Sequence, residues 1–168
     1  AFVQNRAVYA YDGPMKEAMY RFKYSNCRAY RRIFAKDAWR IYGDWLRNLE
    51  VDAVVPVPMY AGKERRRGYN QAELLCNVIG QETGIPVRNL LRRKKWTRQQ
   101  ARLDRKQRIR NLHQAFSIID STNCRNRCIL LVDDVMTTGS TLSAAAETLL
   151  GAGSAEVDVL VLARRQRD

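Results

Sequence analysis

Hydrophobic positions along this chain follow two rhythms in alternation: short runs that are apolar throughout or at every second residue, and longer stretches in which apolar residues return every third or fourth position. Arg6 to Tyr11 has the first rhythm and predicts a short strand. A turn at Asp12-Gly13-Pro14 then leads to a helix with Met15, Ala18, Met19 and Phe22 on one face. Tyr30, Phe34, Ala38, Ile41, Trp45 and Leu49 predict a long amphipathic helix from about Ala29 to Leu49 that buries one stripe and exposes its arginines. The β-branched run Asp52 to Val57, ended by prolines, predicts a strand. A loop from Met59 to Tyr69 follows, then a helix carrying Ala72, Leu75, Cys76 and Ile79, with Asn70 placed to cap it. Gly84-Ile85-Pro86 punctuates before an apolar stretch near Val87 to Leu91. Order resumes at Leu112 to Ile119, followed by an apolar strand (Cys128 to Val132), a helix (Ser140 to Leu150, presenting Leu142, Ala145, Ala146 and Leu149) and a closing strand (Val157 to Leu162). Alternating strands and helices predict an α/β fold, a mostly parallel sheet flanked by helices. Neither a repeat nor a Ser- or Gly-rich linker divides the 168 residues, so a single domain is expected over 1–168.

Composition narrows the partners more than the fold. With 46% hydrophobic residues the chain can fill one core of ordinary size. Thirty Lys and Arg against seventeen Asp and Glu give a formal charge of +13, which concentrates polyanions around the molecule. Charge alone does not separate a nucleotide from a nucleic acid or an anionic membrane. The membrane is the least supported of the three, because no segment joins the positive charge to a strong hydrophobic stripe. No apolar run approaches the roughly 20 residues of a membrane span, and nothing resembles a signal peptide, so the expected location is the cytoplasm. Of the four cysteines only Cys124 and Cys128 are close, and His113 is the lone histidine. Structural zinc needs four clustered ligands, so reduced thiols and no zinc are expected.

The chemistry is concentrated in Ile129 to Thr141, ILLVDDVMTTGST. Four apolar residues suit a strand covered on both faces, and Asp133-Asp134 falls where that strand leaves the carboxyl edge of the sheet. Thr137-Thr138-Gly139-Ser140-Thr141 then supplies hydroxyls and a glycine for a tight turn leading straight into a helix, whose free N–H groups attract phosphate. Carboxylates suited to sugar hydroxyls therefore lie one turn from a phosphate cradle, a spacing that fits a ribose carrying a 5'-phosphate. A plainer reading has Asp134 ending a strand and Thr138 or Ser140 capping a helix. Two other families share parts of the pattern. A response-regulator receiver domain carries its paired aspartates near the start of the chain, with several strands to follow, whereas here one strand remains. A Walker-type loop needs Gly-Lys-Ser or Gly-Lys-Thr, and neither occurs.

ILLVDDVMTTGST resembles the phosphoribosyl-pyrophosphate motif of type I phosphoribosyltransferases. VPVPMYAGKERRRGYNQA (Val55 to Ala72), Thr97 to Gln100, Arg108 to Asn111 and VDDVMTTGSTL make the chain similar, from about Tyr11 onward, to the ComF family of competence-associated proteins. The resemblance implies a type I phosphoribosyltransferase fold with an N-terminal helical hood in residues 1–50 and a core in 51–168. It implies that Asp133 and Asp134 contact the ribose hydroxyls, that Thr137, Thr138, Gly139, Ser140 and Thr141 hold the 5'-phosphate, and that Mg2+ accompanies phosphoribosyl pyrophosphate. It also implies a place in natural transformation and DNA uptake, beside a competence helicase and recombination mediator proteins. Family members usually begin with a four-cysteine zinc ribbon. Either a shortened chain or a lineage without the ribbon would account for a start at Ala1.

Two basic segments remain. Pro58 to Gly68 lies where such a fold holds pyrophosphate, with Lys63, Arg65 and Arg67 as the expected contacts and Arg66 between them. Arginine forks suit a diphosphate, although a run of charge is often only a solvated loop. Arg92 to Arg110 carries ten basic residues and one acid, Asp104, and is expected to be a mobile loop or an exposed helix. Its surplus of cations points to a second anion, and Trp96 offers a surface on which an unpaired base stacks. Single-stranded DNA is thus the expected partner of Arg92, Arg93, Lys94, Lys95, Trp96, Arg98 and Arg102. Displacement of pyrophosphate from the anomeric carbon needs positioning and charge stabilisation more than a named acid or base. Two readings therefore stay open: a DNA-handling module that binds the ligand, and an active pentosyl-transferring enzyme of nucleotide metabolism or salvage acting on an unidentified acceptor.

Overall fold

The computed structural model describes residues 2–24, 29–94 and 115–165. Their order is β1 (Asn5–Ala10), α1 (Gly13–Tyr24), α2 (Tyr30–Asn48), β2 (Ala53–Pro56), α3 (Ala61–Arg67), α4 (Gln71–Thr83), β3 (Leu91–Arg93), β4 (Phe116–Ile118), β5 (Cys128–Met136), α5 (Ser140–Gly151) and β6 (Glu156–Arg164). Four strands form one parallel sheet in the order β1-β6-β5-β2, while β3 and β4 pair antiparallel as a separate ribbon.

Period-two alternation divides the sheet into two cores. Val55, Val57, Ile129, Leu131, Val157, Val159 and Val161 face α5 and the β3–β4 ribbon, meeting Leu142, Ala145, Leu149 and Phe116. Val54, Leu130, Val132, Leu160 and Leu162 face the other way, against Met19 and Phe22 of α1, Phe34 and Leu46 of α2, and Leu75, Cys76 and Ile79 of α4. Both central strands are covered on two sides, which is why they read as apolar runs. The region expected as a hood is thus divided: β1 is an edge strand of the main sheet, paired with β6 from Asn5↔Val159 to Ala10↔Arg164, and α1 and α2 close one face.

Three expectations need correction. On α2 the buried residues are Phe34, Ala35, Ala38, Gly43 and Leu46, while Ile41 is 44% exposed. The buried face is rotated toward Ala35 and Tyr42, whose hydroxyl donates to the Ala7 carbonyl at 2.8 Å, and Ile41 falls at its margin. The expected loop Met59 to Tyr69 contains the helix α3, which buries no residue and which charge masked in the hydrophobic pattern. The apolar stretch near Val87 to Leu91 gives only a bridge, Val54↔Val87, before β3 begins at Leu91. Asn70 caps α4 as expected: its carboxamide oxygen accepts from the Ala72 N–H at 3.1 Å, and its Nδ2 donates to the Val57 carbonyl at 3.0 Å. One side chain thereby starts α4 and ties it to the chain leaving β2.

Candidate functional site

A cleft opens at the carboxyl ends of β2 and β5 because the two strands stop pairing there. The last pair is Pro56↔Val132, closed by the Val57 N–H donating to the Val132 carbonyl at 2.8 Å. Pro58 then leads the chain away. β5 continues for four more residues beside β6, so Asp133 and Asp134 leave the β2 side of the sheet without a neighbouring strand. The crevice has a volume of about 230 Å³, and Lys23, Tyr60, Lys63, Arg67, Asn70, Arg93, Asp133, Asp134 and Thr141 supply most of its polar lining.

The floor is acidic. Asp133 accepts the Asp134 N–H at 2.8 Å, and Asp134 accepts the Val135 N–H at 2.7 Å, so each carboxylate is oriented by the backbone just after it. Lys23, in the last turn of α1, reaches Asp134 at 2.9 Å, both side chains being largely buried. Burial, and after it the charge of Asp134, pushes the Asp133 carboxyl well above the ordinary carboxylate range, against the opposing hydrogen bond and the charges of Lys23 and Arg93. The site thus sets two carboxyl groups side by side, and the Asp133 carboxyl holds its proton more tightly than an ordinary one.

The opposite wall is basic and aromatic. Arg93, from β3, lays its guanidinium over Tyr60 at 4.6 Å and over Phe116 at 5.5 Å. Its Nε is buried and makes no hydrogen bond among the described residues. Lys63 and Arg67 come from α3, and Arg67 donates to the Gln71 side chain at 2.7 Å. At the rim, Gly139 holds φ +80° immediately before α5, a left-handed conformation that glycine adopts without strain. Thr138 bonds Ser140 hydroxyl to hydroxyl at 2.9 Å, and its Oγ1 accepts the Ser140 N–H at a long 3.4 Å. This turn aims the first N–H groups of α5 toward the carboxyl edge of the sheet, and Thr141 lines the cleft.

Of the expected ribose and phosphate residues, Asp133, Asp134 and Thr141 line the crevice, while Thr137, Thr138 and Ser140 are exposed at its rim. Of the expected pyrophosphate contacts, Lys63 and Arg67 line it. Arg65 does not: it is an exposed residue of α3. Among the residues assigned to nucleic acid, Arg92 and Lys94 are exposed and Arg93 is in the cleft, whereas Lys95, Trp96, Arg98 and Arg102 lie outside the described residues. Sequence reasoning missed Lys23 and Tyr60. Lys23 stands four residues after Met19, on the buried stripe of α1, and a cation at such a position was the available signal.

Residues 71–168 match the family model described as "Phosphoribosyl transferase domain". The chain is 38% identical over 159 residues to Competence protein F of Haemophilus influenzae, aligning 92% of this chain with 69% of that protein. It is 31% identical over 156 residues to Competence protein ComFC of Bacillus subtilis, covering 90% of this chain and 60% of that one. Against DNA utilization protein YhgH of Salmonella typhi, identity is 36% over 114 residues, 67% of this chain and 49% of the relative. Among solved structures, the allosteric regulatory enzyme of purine biosynthesis superposes with a TM-score of 0.55 at 20% identity, over 80% of this chain and 25% of that one. The purine phosphoribosyltransferase from Pyrococcus horikoshii gives 0.50 at 15% identity, over 78% and 82% of the two chains. These superpositions carry the fold and nothing finer.

Proposed function

We propose that this chain, which belongs to the phosphoribosyl transferase family and to its ComF-like branch, binds phosphoribosyl pyrophosphate in the β2–β5 cleft and serves DNA uptake. The observation that carries the reading is the pairing of an acidic floor, Asp133 and Asp134, with a wall of Lys63, Arg67 and Arg93 across one crevice. Sugar hydroxyls donate to carboxylates, and a diphosphate is matched by an ammonium and two guanidinium forks. The buried Nε of Arg93, which has no hydrogen-bond partner among the described residues, favours an anionic ligand, since a buried donor without a partner is costly. The 5'-phosphate fits the turn Thr137 to Thr141 at the start of α5.

Mg2+ suits the donors present. It prefers hard oxygen ligands and commonly takes one or two carboxylates plus substrate phosphates, and Asp133 and Asp134 are such carboxylates. When bound it would neutralise charge on the diphosphate. The residues of the chain do the rest: the aspartates orient the ribose, the α3 cations hold the diphosphate, and Tyr60 with Phe116 keeps Arg93 in place.

The names of the competence relatives, together with the +13 charge, support a role in handling incoming DNA. The basic segment from Arg92 onward is the proposed contact for single strands, binding their phosphates by charge and their bases by stacking. Calorimetric titration of phosphoribosyl pyrophosphate with Mg2+ tests the cleft, and saturable binding that disappears in an Asp133→Asn, Asp134→Asn double variant is expected. Absence of binding to the unaltered protein would refute the cleft reading. Pyrophosphate release across a panel of nucleobases then decides whether transfer accompanies binding.

A further inference from the structure

Beside the cleft lies a second pocket of about 520 Å³, lined by Lys23, Tyr24, Lys63, Arg66 and Arg67. Lys23, Lys63 and Arg67 border both spaces, whereas Tyr24 and Arg66 border only the second. Four of the five side chains are cationic, and among the described residues no carboxylate lines the pocket. Lys63, Arg66 and Arg67 follow the i, i+3, i+4 spacing of one helix face on α3, where like charges repel until an anion comes between them. The fifth side chain is aromatic. The Tyr24 ring has the Arg67 guanidinium over it at 5.0 Å and the Tyr20 ring beside it at 4.9 Å, and both tyrosines are mostly exposed. Exposed tyrosines next to a cationic hollow offer a flat surface for a ring attached to an anion. The volume lies within the usual range for pockets that take small organic ligands.

We propose that this pocket binds a nucleotide by its 5'-phosphate, with the phosphate among Lys63, Arg66 and Arg67 and the base against Tyr24. A bare anion would satisfy the cations and leave the tyrosine unused, so the ring separates this site from general electrostatic attraction. A free mononucleotide and the 5'-phosphorylated end of a single strand share this chemistry. The inference does not rest on phosphoribosyl pyrophosphate in the neighbouring cleft, because Tyr24 and Arg66 belong to the second pocket alone.

The test is calorimetric titration of AMP, inorganic phosphate, and short oligothymidylates with a 5'-phosphate or a 5'-hydroxyl into the protein and its Arg66→Ser and Tyr24→Ala variants. AMP is expected to bind more tightly than inorganic phosphate and to weaken about tenfold in each variant. Phosphoribosyl pyrophosphate, titrated alongside, is expected to bind all three proteins alike if it binds at all. Both variants alter exposed side chains, and an unchanged unfolding temperature confirms that they are folded. A 5'-phosphorylated strand that outcompetes AMP assigns the site to strand ends, and equal binding assigns it to free nucleotides. Failure to bind AMP, binding undiminished in both variants, or inorganic phosphate binding as tightly as AMP overturns the proposal.

Discussion

Asp133 and Asp134 reach the cleft from consecutive positions of one strand, whereas the cations facing them come from three separate elements: Lys23 from α1, Lys63 and Arg67 from α3, and Arg93 from β3. The floor is therefore set by local geometry. Its carboxyl groups are aimed by the N–H groups that follow them, and its raised proton affinity is concentrated in one residue, the half-buried Asp133. The wall is set by packing. It exists because Phe22 and Met19 anchor α1 on the sheet, Asn70 ties α4 to the chain leaving β2, and the β3–β4 ribbon leans Arg93 over Tyr60. A single substitution in the floor should thus act on binding directly, while the wall should lose its contribution in parts.

Four experiments probe the difference between floor and wall. The double change Asp133→Asn, Asp134→Asn should reduce affinity for phosphoribosyl pyrophosphate with Mg2+ about a hundredfold or more, since the neutral amides accept sugar hydroxyls more weakly than carboxylates and offer the proposed metal no charge; calorimetry reads it. Lys63→Ala with Arg67→Ala should weaken the same ligand roughly tenfold yet leave ribose 5-phosphate nearly unaffected, because that sugar has no diphosphate. Equal losses for both ligands would show that the α3 cations do not read the diphosphate.

The third experiment exploits proton linkage. A folded-state carboxyl held above its unfolded value keeps its proton while the unfolded chain releases it. Stability is therefore whole below about pH 4 and falls as pH rises through the raised folded value of Asp133. Asp133→Asn should accordingly raise the unfolding temperature at pH 7 by about 3 °C or more and give no gain near pH 3.5. A gain that persists at low pH would mean the substitution acts through packing and not through charge. The smallest effect is expected outside the cleft: Arg92→Ser with Lys94→Ser, both exposed, should lower the salt dependence of single-stranded DNA binding by about one unit of slope for each phosphate no longer engaged. An unchanged slope would place the DNA-binding surface elsewhere.

How far the sequence could be read differs in the same way. The strands β2, β5 and β6, the helices α1, α4 and α5, and the cap at Asn70 were legible because each rests on neighbours within a few positions. The end of β5 was not: polar Asp133 and Asp134 ended the expected strand at Val132, yet β6 runs alongside and pairs it out to Met136. α3 was hidden because a helix that buries none of its residues leaves no apolar stripe to detect. Arg93 was read with the basic run after it, since charge in a sequence carries no direction.

The parallel α/β architecture, the two adjacent carboxylates that follow an apolar strand run and the hydroxyl-rich turn before a helix could all be read from the chain alone. They are written in contiguous residues whose spacing matches the period of the element they form. Tertiary packing was needed to settle that Lys23 pairs with Asp134, that Arg93 turns inward while Arg92 and Lys94 do not, that Arg65 faces away, and that a second cationic pocket opens beside Tyr24. Those facts depend on how distant elements pack on the two faces of one sheet, and the free energy that places them comes from buried apolar residues that take no part in the chemistry.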